Sequence, residues 1–186
     1  MKSANFTLPI LALFLISTFS CEKAKIKRKG VDPVFQLDSA LANDEIFTTL
    51  ASSKVKIPLY MDSIVPVSNV LYYTSSGDSL YLSMGTAKLQ NDSLKIYLSY
   101  GTGYVGYSLD ITYANRAFYA VPKYSTDVLN VQTTESKKIF TKNLIKLDRE
   151  NYTSGDTVYG YADVAVKTLE TGRIVGTKGY FQLKVE

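Results

Sequence analysis

From residue 55 onward the chain is a train of short runs that alternate apolar with polar side chains or are rich in β-branched and aromatic residues: 55–60, 67–74, 80–84, 94–100, 107–113, 117–121, 138–147, 157–167 and 173–185. Turn formers stand between them, among them Ser76-Gly77-Asp78, Asn91-Asp92, Ala114-Asn115, Ser154-Gly155-Asp156 and Thr171-Gly172. A strand turns successive side chains to opposite faces, so runs this short have to bury their apolar faces against one another. The pattern predicts an all-β fold, a single antiparallel β-sandwich, with a closed β-barrel as the alternative.

The last two runs make the best hairpin. Along 157–167 one face carries Val158, Gly160, Ala162, Val164 and Val166 and belongs in the core, and the other carries Tyr159, Tyr161, Asp163 and Lys167. One segment reads as a short N-terminal helix: over 39–52, Leu41, Ile46, Phe47 and Leu50 give a partial 3.6-residue period, and Asp38 or Ser39 is placed to cap it. A small echo links 77–83 with 91–99, each an Asp-Ser turn feeding a strand, which fits a meander. The stretch from Tyr152 to Gly160, with Ser154-Gly155-Asp156 at its turn, resembles the start of a strand in many extracellular immunoglobulin-like β-sandwich modules. That resemblance favours an immunoglobulin-like or related sandwich over a lipocalin-like barrel.

The N-terminus has a different character. Lys2 is followed by an apolar core about nine residues long, Leu8 to Ile16, and then by Ser17-Thr18-Phe19-Ser20 and Cys21, the single cysteine of the chain. Such a core is too short to span a bilayer, which takes about 20 apolar residues. Thr18-Phe19-Ser20-Cys21 resembles a lipobox, in the looser form found in Bacteroidota lipoproteins; strict lipoboxes carry Leu and a small residue where this chain has Thr18 and Phe19. The resemblance covers residues 1–21. It implies removal of residues 1–20, a covalent lipid on Cys21 and a lipid-anchored protein of the cell envelope, expected at the outer membrane facing the periplasm. Surface exposure is the alternative. Surface-exported members of this group often carry acids just after the cysteine, and Glu22-Lys23-Ala24-Lys25 differs from that pattern.

Charge sharpens the division. Six of the 21 basic residues, Lys2, Lys23, Lys25, Lys27, Arg28 and Lys29, precede residue 30, as does one of the 17 acids, Glu22. Residues 31–186 are left with 15 bases and 16 acids, so the positive charge belongs to a tether over 21–31 and a near-neutral domain fills 32–186. A nucleic-acid binder concentrates Lys and Arg on the fold itself, so no nucleic acid is expected as a partner. The tether suits a membrane: each Lys or Arg beside anionic headgroups is worth about 1 kcal/mol. It reaches at most about 35 Å if fully extended and averages nearer 20 Å if flexible.

Chemistry is bounded by what the composition lacks. The chain has no His, which removes imidazole bases and imidazole metal ligands, and Cys21 is assigned to lipid. No cofactor or metal is expected beyond that covalent lipid. Gly101-Thr102-Gly103-Tyr104-Val105-Gly106 fits G-x-G-x-x-G, yet a dinucleotide site needs those glycines to open a helix. Here the alternating 107–113 follows, which makes a glycine-rich hairpin loop the better reading. Tyr100, Tyr104 and Tyr107 beside it, with Tyr159, Tyr161 and Asp163, form the candidate contact surface, because Tyr joins a large apolar area to a polar tip. Asp110, Asp127, Glu135, Asp148, Glu150 and Asp163 are the carboxylates available to a glycosidase-type pair; Asp148-Arg149-Glu150 reads as a solvated turn and Asp163 as an outward strand position.

Five triplets join Asp to Ser or Thr and then to Ala or an aliphatic residue, at Ser39, Ser63, Ser79, Ser93 and Thr157. They are similar to the O-glycosylation motif of exported Bacteroidota proteins, which would make those hydroxyls acceptors. Asp-Ser turn chemistry accounts for the same pattern. The expected function is a non-catalytic binding or structural module contacting an envelope protein or a glycan. An immunity lipoprotein against a toxin and a small carboxylate-dependent hydrolase are the alternatives.

Overall fold

Alternation from Thr157 to Val164 settles which side of the strand Thr157–Thr168 is interior: Val158, Ala162, Val164 and Val166 are buried, as is Ala165 between the last two, while Tyr159, Tyr161, Asp163 and Lys167 point the other way and are half-buried. This is the two-faced strand the sequence predicts. A computed structural model describes residues 30–56, 63–101, 105–126 and 137–186. Its strands are β1 (Val34–Leu37), β2 (Val55–Lys56), β3 (Ser63–Ile64), β4 (Val70–Thr74), β5 (Ser79–Leu82), β6 (Met84–Gln90), β7 (Ser93–Gly101), β8 (Val105–Ala114), β9 (Ala117–Thr126), β10 (Lys138–Leu147), β11 (Thr157–Thr168) and β12 (Ile174–Lys184). A 3-10 turn (Ser39–Asn43) and one helix, α1 (Glu45–Ser52), lie between β1 and β2. No helix among the described residues is long and apolar enough to cross a membrane.

Two open sheets form a sandwich. One has the order β1-β10-β11-β12-β4-β5 and the other the order β6-β7-β8-β9; β2 and β3 make a small separate pair. The second sheet is a meander whose turns explain its register. Asn91 and Asp92, and then Asn115 and Arg116, all have φ between 49° and 62°, the left-handed pair that two-residue hairpin turns need to match strand twist. The second of these turns is centred one residue later than the Ala114-Asn115 expected from sequence.

Both inner faces supply one core: Val70, Tyr72 and Leu82 from β4 and β5, Ile96 and Leu98 from β7, Leu109 and Ile111 from β8, Ile145 and Leu147 from β10, Val158 and Val164 from β11, and Phe181 and Leu183 from β12. The chain crosses between sheets at buried Ser83, where β5 ends and β6 begins. The C-terminus fastens the layers a second time, since Glu186 N–H donates to Ala87 carbonyl and Leu89 N–H to Glu186 carbonyl. Edge strand β9 carries Pro122, which has no N–H to donate and is tolerated in sheets at edges.

Two features go beyond the sequence reading. Strand β1 pairs with β10 in parallel, Val34 opposite Leu144 and Leu37 opposite Leu147, a contact with no local signal. The helix expected over 39–52 is divided, because Asp44 is extended (φ −69°, ψ 130°) and caps α1 by accepting from Ile46 N–H at 3.0 Å. Asp38 accepts from Ala40 N–H at the start of the 3-10 turn.

Candidate functional site

The half-helical segment lies on the outer face of the six-stranded sheet because its apolar side chains meet tyrosines there. Phe47 sits edge-on to Tyr159, with ring centroids 4.9 Å apart, and to Tyr180 at 6.0 Å. Leu41, Phe47 and Leu50 form a second small core with Ile46, Tyr159, Tyr161 and Tyr180. Outward tyrosines on a strand are thereby half covered. The segment packs against Tyr161 and Tyr180 as well, and those two rings meet edge to face at 4.9 Å.

Beside them lies an open cavity of about 410 Å³, lined by Asp38, Ala40, Leu41, Asp44, Leu144, Lys146, Tyr161 and Tyr180. Pairing across the sheet builds it, since Tyr161 stands opposite both Lys146 and Tyr180. Its charge is mixed: the two aspartates cap the 3-10 turn and α1, and Lys146 Nζ lies 3.9 Å from Asp38 Oδ2. One pair further along β11, Asp163 meets the Lys142 ammonium at 3.2 Å, so its outward position is observed. On the same sheet Tyr73 of β4 lies over Gly176, close enough that a Cβ there would collide with its ring. Burial, and then the Asp163 carboxylate, push the Tyr161 hydroxyl above its ordinary pKa. A group so placed donates hydrogen bonds as a neutral phenol at physiological pH.

The other expected contact residues are not brought to this cleft. Tyr100 and Tyr107 are half-buried and pack against the main core from the inner face of the four-stranded sheet. Tyr107 meets Tyr72 edge to face at 5.0 Å and Tyr124 at 5.3 Å. The reading of Tyr100 and Tyr107 as exposed loop residues is corrected by strand parity: both share the inward face with Leu98 and Leu109. Tyr104 and Cys21 lie outside the described residues. Gly101 pairs with Gly106 in the β7–β8 hairpin, so the glycine-rich motif joins two strands and opens no helix. Tyr97 and Tyr119, which the sequence reading passed over, stand exposed on the outer face of the four-stranded sheet. The alternation that marks β7 and β9 could have flagged them.

The carboxylates are dispersed. Asp110 pairs with Lys123 and accepts from Ser108, and Glu150 meets Arg116 at 3.1 Å. Asp148 overturns the solvated-turn reading: its side chain is 3% exposed and accepts from Tyr152 Oη at 2.8 Å, Tyr159 N–H at 2.9 Å and Arg149 Nε at 2.8 Å. Asp127 and Glu135 lie outside the described residues. Among the described residues no three His, Cys, Asp or Glu side chains gather as a metal site.

At the Asp-Ser/Thr triplets the aspartates do turn work: Asp78 accepts from Ser76, and Asp156 from both the amide and the hydroxyl of Thr153. Ser39, Ser63 and Ser79 are exposed and Thr157 is half-buried. Ser93 is buried, with its hydroxyl donating to Gln90 carbonyl at 2.6 Å.

Compared with protein-family models, with curated proteins and with solved structures, the chain matches none.

Proposed function

We propose that this chain is a lipid-anchored envelope protein whose β-sandwich is a non-catalytic binding module, with the cleft between the 3-10 turn and the outer face of β10–β12 as its ligand site and a glycan as its ligand. The observation that carries the reading is the meeting of Tyr161 and Tyr180 with Asp38, Asp44 and Lys146 around one open cavity. Ring faces and edges cover the apolar C–H surface of a sugar, while carboxylates and phenol hydroxyls serve its many hydroxyls. A volume of about 410 Å³ fits within the range of small-ligand sites, about 300–1,000 Å³. The anchor is supported by the Lys2, Leu8 to Ile16 and Cys21 pattern, and the basic tether adds attraction to anionic headgroups.

Two measurements test this. Cys21→Ser is expected to release the protein from washed envelopes, and full retention of that variant would remove the anchor. Titration of soluble oligosaccharides released from envelope glycans is expected to perturb Tyr161 and Tyr180 resonances. Tyr161→Ala should weaken that binding at least tenfold, the loss of about 1.4 kcal/mol of contact. Binding that is indifferent to Tyr161→Ala would move the site elsewhere, and a protein partner lost with the same variant would replace the glycan.

A further inference from the structure

The place where the tether leaves the fold favours one end of the sandwich as the end that faces a bilayer. Val31 N–H donates to Phe140 carbonyl at 2.9 Å, and Gly30 lies against Phe140 and Ile139. Strand β1 then runs parallel to β10, so the chain departs at the end where β10 begins. The β11–β12 turn is at that same end, because Lys138 pairs with Thr168 and Leu169 N–H donates to Lys137 carbonyl.

Distances disfavour the opposite orientation. Gly30 lies level with Phe140, opposite Val166, and from Val166 back to Thr157 strand β11 runs about 30 Å at roughly 3.3 Å per residue. A tether from Cys21 to Gly30 covers at most about 35 Å fully extended and averages about 20 Å or less. With the far end on the membrane, the tether would be held near full extension, well beyond its average reach.

The near end also has the side chains for the contact. Leu169 at the β11–β12 turn is 51% exposed and Val31 47%. Lys137, Lys138 and Arg173 are exposed around them and Lys167 is half-buried, and none of the four forms an ion pair within the fold among the described residues. Three acids share the region: Glu170 accepts from Lys137 N–H and Asp78 from Ser76, and Asp32 is exposed beside Val31. The sequence that precedes Gly30 carries five bases, Lys23, Lys25, Lys27, Arg28 and Lys29, opposed by Glu22 alone.

We propose that the β11–β12 turn end of the sandwich rests on an anionic lipid surface, with Leu169 in the headgroup layer and Lys137, Lys138, Lys167 and Arg173 on the phosphates. This rests on the lipid-anchor reading and leaves the Tyr161–Tyr180 cleft facing sideways, open to ligand.

The chain has no Trp, so a single introduced indole reports on its own position. The acylated full-length mature protein is reconstituted on vesicles of phosphatidylglycerol and phosphatidylethanolamine, as Leu169→Trp or, at the far end, as Leu89→Trp. The expected result is a blue-shifted emission from Leu169→Trp that brominated acyl chains quench, with Leu89→Trp emission unchanged. Vesicle-bound protein in which the Leu169→Trp indole stays unquenched, or in which both indoles are quenched alike, overturns the orientation and leaves the anchor standing. Failure of the acylated protein to float with the vesicles overturns both.

Discussion

At the residue scale, Asp148 is the side chain on which the turn between β10 and β11 depends. One carboxylate oxygen takes two buried donors, Tyr152 Oη and Tyr159 N–H, and the other takes Arg149. Burial and the bond to Asp148 push the Tyr152 hydroxyl far above its ordinary pKa, so it acts as a fixed donor. Asp148→Ala leaves two donors unpaired, each costing about 1–3 kcal/mol, and a total loss of about 2–6 kcal/mol is expected from urea unfolding. A change below about 0.5 kcal/mol, the size of an ordinary surface substitution, would mean water replaces the carboxylate. Nothing in Asp148-Arg149-Glu150 as a string separates this buried acceptor from the half-buried Glu150 two residues on. The difference is made by Tyr159, which arrives from the next strand. Asp163 was legible as an outward strand acid, but its Lys142 partner comes from β10, across the sheet.

At the element scale, the β11–β12 hairpin is the centre of the larger sheet, and its fit is decided by Gly160. A Cβ there would stand 2.2 Å from Phe181 Cζ, and Phe181 is fully buried opposite it. Gly160→Ala is therefore expected to destabilise by about 1–3 kcal/mol through overpacking, read from the urea midpoint. Combining it with Phe181→Leu should recover part of that loss, and strictly additive costs would show that the two positions do not collide. The hairpin and its inward face were readable because alternation is a local property. The split of the 39–52 segment was less so: Asp38 and Asp44 are both capping residues, six positions apart, and only the docking of Phe47 on Tyr159 and Tyr180 decides where α1 begins. The echo between 77–83 and 91–99 marks two strands in different sheets, β5 at an edge and β7 within the meander.

At the scale of the whole molecule, one end of the sandwich is filled with tyrosines, and this predicts how the fold fails in alkali. Burial pushes Tyr72 up to about 12 and raises Tyr107 as well. A phenol whose pKa is higher folded than unfolded contributes stability that is complete below the ordinary value of 10.0 and is lost as pH rises through the folded value. Urea midpoints are expected to fall steadily between about pH 10 and pH 12, together with the growth of tyrosinate absorbance, and Tyr72→Phe should flatten the fall. A wild-type midpoint that holds across this window would contradict the burial of the cluster. The sequence by itself determined the all-β class, the faces of β11, the turn sites and the concentration of positive charge before residue 30, because periodicity, left-handed turn residues and charge are written along the chain. The two-layer division, the parallel strand β1, the burial of Asp148 and the cleft around Tyr161 and Tyr180 were decided only in three dimensions. Each depends on which strands become neighbours, and pairing between distant segments leaves no mark on either segment alone.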